Sequence, residues 1–370
     1  MLGHRNAAII LICGKLPFAV CASAGLVVSA GFVFNEVFVY WFPNFAFASL
    51  MLVSITLLNI FGKKPALVTQ VITIAAASIG LLILTGAGLF NLSGARSTFE
   101  MSVNFDYRYL AAAVIVLVGF DMGLYAGWGT RHGFSQLSRS MAIALIASGV
   151  LLALWGLATL AVVPAAQLES STIPHMIMAR EAFGQTGRLI MGTVVIFGVS
   201  SAVNALMLSI STITGQLASG AGGSKKAVFA SKTRAATILF VAGASALLMA
   251  LGFAGEPVLD TWIRSSLVMW LLYYTIVNFS AYRAWHGARA IDDKGWTSSV
   301  TALKALSIAG STLAAAGLVL LEPEPLSMLA FMVVIALAVT VIVSVVDFYF
   351  VRNTQRIPES QKVPISRNGI

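Results

Sequence analysis

Long apolar stretches separated by short polar breaks make up almost the whole chain. They read as 16–42, 44–61, 66–90, 108–129, 139–164, 188–217, 234–254, 263–285, 301–321 and 326–351, most of them close to the roughly 20 residues a helix needs to cross a bilayer. Inside hydrocarbon every backbone amide must find its partner within the segment, so these stretches are helices. The pattern predicts an all-α membrane protein of about ten transmembrane helices. It forms a single transmembrane domain over 1–352 with a polar tail at 353–370, and no soluble domain is visible. In the break before the sixth stretch, Ile173 to Phe183 reads as a short helix lying over the protein, and Gly220 to Lys226 reads as a flexible connector.

Composition agrees: 58% of residues are hydrophobic, 10% are charged and the mean hydropathy is +0.90, where soluble domains carry about 25% charge. The net charge of +9 does not point to nucleic acid, because the basic residues lie in short runs between apolar stretches. They act instead as topology signals. Eighteen of the 23 lysines and arginines fall in one alternating set of loops and the tail, among them Arg5, Lys15, Lys63, Lys64, Lys225, Lys226 and Arg352. The other set holds Arg96, Arg108, Arg180, Arg188 and Arg264. By the positive-inside rule both termini are expected in the cytoplasm, with the protein in the plasma or inner membrane. His4, Arg5 and the apolar residues after them could open a signal peptide, with Ala22-Ser23-Ala24 as its cleavage site. Lys15 and Pro17 interrupt that run, so it reads as the approach to the first helix. Cys13 and Cys21 read as buried thiols.

Charges within a bilayer are costly and mark functional candidates. Three acids qualify: Glu36, Asp121 and Asp347. The four histidines fall at segment ends or in loops, which gives no pattern for a membrane-embedded enzyme or a metal cluster. Asp121 is the most informative, because Gly119, Gly123, Gly127 and Gly129 surround it in mid-span. Each glycine costs a helix about 1 kcal/mol relative to alanine, so the segment can unwind and offer backbone groups to a polar ligand. The glycines at i+4 spacing also suit close helix packing, which explains them but not the acid. Phe120, Tyr125 and Trp128 are near it in sequence, and any one of them is a candidate aromatic gate. Glu36 lies near enough to the outer surface to share in coupling, and Asp347 reads as an anchor at the inner surface. The sixth stretch carries Ser200, Ser201, Asn204, Ser209, Ser211, Thr212 and Thr214, hydroxyls and an amide that bond within helices or line a cavity.

Three places resemble the amino acid-polyamine-organocation transporter superfamily, whose fold is of the leucine-transporter (LeuT) type with two inverted five-helix repeats. Thr56 to Lys64 looks like the junction of its helices 4 and 5, Gly119-Phe120-Asp121 like the glycine-aromatic-acid pattern of its broken helix 6, and Tyr274 to Arg283, with Asn278, like the end of helix 10. The inside/outside alternation matches helices 3 to 12. The chain departs from the pattern in having no proline or acid between Ala126 and Val163, in ending the sixth stretch Thr214-Gly215-Gln216-Leu217, and in having no counterpart of helices 1 and 2. That last departure is expected of a truncated reading of a longer gene or of a divergent member.

The resemblance implies a secondary transporter of amino acids or small amines, driven by a proton or sodium gradient and using no cofactor. Its substrate site would be drawn from Gly119, Phe120, Asp121, Gly123, Tyr125, Ser201 and Asn204, with Asp121 and Glu36 in coupling. Asp121→Asn, isosteric and neutral, is expected to leave folding and insertion intact while stopping gradient-driven uptake. The alternative is a structural or partner subunit of the membrane without transport of its own.

Overall fold

The computed structural model describes residues 4–91, 119, 121–122, 134–164, 167–168, 171, 173–221, 226–289 and 298–354. Among the described residues the chain is all helix: α1 (His4–Val37), α2 (Asn44–Phe61), α3 (Lys63–Asn91), α4 (Phe134–Val162), α5 (Pro174–Ala221), α6 (Lys226–Ala250), α7 (Pro257–Arg289), α8 (Ser298–Leu320) and α9 (Pro325–Thr354). Eight of them are long and apolar enough to cross a membrane. The protein is a multi-pass helical membrane protein. The remaining helix, α7, carries Asp260 and Arg264 near its start. The expected span 108–129 lies outside the described residues except for Gly119, Asp121 and Met122, as does the tail beyond 354.

Three helices, α5, α7 and α9, open on a proline. Proline fits a first turn because its missing N–H would have no helical partner there. The expected short helix before the sixth span is the first part of α5. The helix breaks at Phe183 (φ −138°, ψ 15°) and Gly184 (φ 60°, ψ −138°) before running on as the spanning segment. A backbone with Gly184's torsions is open mainly to glycine. The short part rests on the rest of the bundle, with Met176 and Ala179 packed with Val37 and Leu84, and Met178 with Ala158.

The first span differs from its expected bounds, 16–42, at both ends. Helix α1 starts twelve residues earlier, at His4, and passes through Pro17 without a break. Lys15 does not end it because its charge is balanced within the bundle. At the other end the helix stops at Val37, where Asn35 donates to the carbonyls of Tyr40 (2.7 Å) and Phe42 (2.8 Å) and turns the chain back toward α2.

Helix α1 is the centre of the bundle and packs against α2, α5, α6, α7 and α9. In its most apolar stretch 61% of residues are buried, against 6% for α4. Small side chains make this possible: Ala19, Ala22, Ser23, Ala24 and Ala30 are all buried. Where lipid replaces water, close packing of small residues takes over much of the work that hydrophobic burial does elsewhere. Glycines let α1 approach its neighbours closely: an added Cβ would lie 2.3 Å from the carbonyl oxygen of Asn44 on α2 at Gly31, and 2.6 Å from Cβ of Tyr273 on α7 at Gly14. Farther along, Gly25 faces Ile263 and Leu259, so α1 and α7 run antiparallel. At the far end of α7, Arg264 Nε donates to Glu322 Oε2 (2.7 Å) and its Nη2 to Oε1 (3.0 Å), which ties the turn between α8 and α9 to α7.

Candidate functional site

Lys15 follows Gly14, so the close approach of α1 and α7 there sets the lysine directly against the aromatic face of α7. Trp270, Tyr273 and Tyr274 stand at i, i+3 and i+4, the spacing that gathers side chains on one side of a helix. The Lys15 ammonium lies 4.3 Å from the centre of the Trp270 ring, 5.3 Å from Tyr273 and 5.9 Å from Tyr274. Phe18, one turn on from Lys15, meets Trp270 edge-on at 5.2 Å and closes that side.

The ammonium donates to Oδ2 of Asp121, forming an ion pair. Tyr274 donates its hydroxyl to the other carboxylate oxygen, Oδ1, at 2.7 Å. Lys15 is 1% exposed and Asp121 5%. The backbone that presents the acid is not helical at Gly119, whose φ is +99°, and the turn closes with Met122 N–H donating to Gly119 O at 3.0 Å. That is the local loosening the glycines predict. Met122 in turn packs against the main core, so the turn is anchored on the Met122 side of Asp121.

Isolated, either charge would be prohibitive here; together they are neutral, and the aromatic faces add cation–π attraction to the ammonium. Such a cluster can exchange its internal partner for a charged ligand, or pass a proton between acid, amine and phenol. Trp270 Nε1, 1% exposed as a residue, has no hydrogen-bond partner among the described residues.

Ser201 and Asn204 belong to a second polar group, built on α2, α3 and α5. Asn204 Oδ1 accepts from Asn59 Nδ2 (2.8 Å), while its Nδ2 donates to Gln70 Oε1 (2.8 Å) and to the carbonyl of Ala66 (2.9 Å). Gln70 Nε2 donates to Ser201 Oγ at 2.6 Å. Arg234 on α6 joins by donating to the carbonyl of Asn59 at 3.2 Å. The amide of Asn204 is thus fully engaged by protein. Glu36 is exposed at the end of α1, where Arg188 Nη2 donates to its carbonyl (2.8 Å) and to its Oε1 (3.4 Å). Phe120, Gly123 and Tyr125 lie outside the described residues.

Sequence reasoning missed Lys15, which counted as a loop charge, and with it Trp270 and Tyr273. A signal was present: the eight residues from Ala7 to Gly14 ahead of Lys15 are apolar or small, more than a loop calls for. Asn59 and Gln70 were missed as well, since single amides in apolar stretches have no pattern of their own. No model of a known protein family matches this chain, and no curated protein matches it.

Proposed function

We propose that this protein is a secondary active transporter of amino acids or small amines, of the LeuT-type fold, coupled to a proton or sodium gradient. The observation that carries the reading is the buried Lys15–Asp121–Tyr274 cluster. An ion pair shut inside a membrane bundle is hard to justify on stability alone, because two well-packed apolar residues serve as well or better. Intramembrane charges of this kind mark ion and substrate pathways. Two of the motifs behind the family resemblance also meet there: Asp121 of the proposed helix 6 accepts from Tyr274 of the proposed helix 10. The non-helical backbone at Gly119 suits a broken helix with its substrate groups exposed.

Transport is tested in vesicles reconstituted with the full chain, by following a panel of labelled amino acids and methylammonium under an imposed pH or sodium gradient. Accumulation above the equilibrium level for at least one solute is expected. The combined Lys15→Met, Asp121→Asn variant, which keeps the interior neutral, should insert normally and lose it. If the wild type accumulates none of the panel under either gradient, the reading falls and the partner-subunit alternative takes its place.

Both termini face the cytoplasm in this reading. Removing Lys15 from the topology count leaves seventeen basic residues against five, so the bias survives the correction. Cysteines introduced at positions 225 and 324 and labelled with an impermeant reagent in intact cells should react only at 324. Strong labelling at 225 would reverse the orientation.

A further inference from the structure

The surroundings of the Lys15 ammonium are those of a ligand site. Three aromatic rings offer it their faces, a carboxylate accepts its proton-bearing end, and Tyr274 holds that carboxylate by its second oxygen. Aromatic faces with an acid are a common way of recognising a free organic cation. Nothing in that chemistry requires the cation to be tethered to the chain.

We infer that Trp270, Tyr273, Tyr274 and Asp121 form a binding site for a small primary alkylammonium ion, and that Lys15 is its built-in occupant. This rests on the same cluster as the transport reading but not on transport. The site does not depend on Lys15 for its shape. Helices α1 and α7 are brought together by Gly14 against Tyr273, Phe18 packs on Trp270, and Asp121 is carried by a turn whose half-buried Met122 packs against the core. While Lys15 is in place, both carboxylate oxygens are already engaged and a second ammonium meets a like charge. Once Lys15 withdraws, the same acid and rings are open to an amine from solution, so amine and lysine compete for one place.

Lys15→Ala removes three methylenes and the ammonium, and n-propylammonium has the shape and charge of what is lost. The full chain is purified in detergent as wild type, Lys15→Ala, Lys15→Met, and Lys15→Ala with Asp121→Asn. Each is titrated with n-propylammonium chloride, with n-propanol and sodium chloride as controls, while thermal unfolding and heat of binding are followed. A ligand that binds only the folded state raises the unfolding temperature in a saturable way. Lys15→Ala should show that rise and bind n-propylammonium at least tenfold more tightly than the wild type. Lys15→Met, whose side chain fills the space, and the double variant, which lacks the acid, should show no rise.

If n-propanol stabilises Lys15→Ala as well as the amine does, the site is only an apolar hole and the inference fails. It fails equally if the wild type and Lys15→Met respond as Lys15→Ala does. Should Lys15→Ala not be recovered as a single folded species, solubilising its membranes with n-propylammonium present should restore one where sodium chloride does not; no recovery with the amine also overturns the inference. A chain that binds the amine as described but accumulates no solute keeps the site and loses only the transport reading.

Discussion

Lys15→Met should cost about 3–5 kcal/mol of stability, the range for breaking a buried pair by removing one partner. Methionine fills nearly the volume of the lysine stem, so the loss comes from leaving the Asp121 carboxylate with Tyr274 but without its cation. Asp121→Asn should cost a similar amount, for the mirror-image reason that it strands the ammonium. The isosteric substitution should therefore disturb folding, contrary to what the acid considered by itself suggests. Combining the two changes removes both charges and should recover most of the loss, because a neutral pair of similar shape is often as stable as the ion pair it replaces. The full double-mutant cycle, read by reversible unfolding in mixed micelles, measures the coupling directly. Single variants as stable as the wild type would show that the two charges do not meet.

Asn204→Leu should be the next most damaging change, at about 2–3 kcal/mol. Hydrogen bonds between membrane helices average roughly 0.6 kcal/mol and reach about 1.7. Asn204 makes three, to Asn59, Gln70 and Ala66, and the buried Asn59 and Ala66 and the half-buried Gln70 would each be left short of a bond. Ser201→Ala breaks only the contact with Gln70 and should cost about 0.6 kcal/mol. The contrast in unfolding midpoints between the two variants checks that Asn204 is the hub. Equal losses would mean that the group is loosely held.

How far the sequence can be read depends on which contrast it encodes. Helix existence was legible because hydrocarbon demands long apolar runs, and α2 matches its expected span, 44–61, at both ends: Pro43 precedes its start and Gly62, with φ 137°, follows its last residue. Which face of α2 turns inward was not legible. Its buried stripe is Ala48, Met51, Leu52, Ile55, Thr56 and Asn59, while Leu50, Val53 and Leu57 are exposed. The exposed face is at least as apolar as the buried one, so the usual periodicity of a soluble helix has no counterpart. In the candidate site Asp121 stood out because an acid among glycines in mid-span has few explanations. Lys15 did not, because a lysine near the end of an apolar run has two, a loop or a buried pair. Its partner is 106 residues away, and nothing local distinguishes the two.

That separation has a consequence for how the protein is made. Chains grow from the N-terminus at about 5–20 residues per second, so α1 leaves the ribosome some 5–20 s before Asp121 does. During that interval the lysine is in a segment bound for the bilayer, where its charge costs at least about 2.5–3.5 kcal/mol near the centre of a helix. Lys15 is eleven residues into α1, about 16 Å along the axis, close enough to one end for a sliding helix and a long side chain to keep the ammonium among the headgroups. Settling to its final depth has to wait for the acid. The central helix of the bundle is thus synthesised well before the acid that seats it, and a nascent chain halted before residue 121 holds it without its counter-ion.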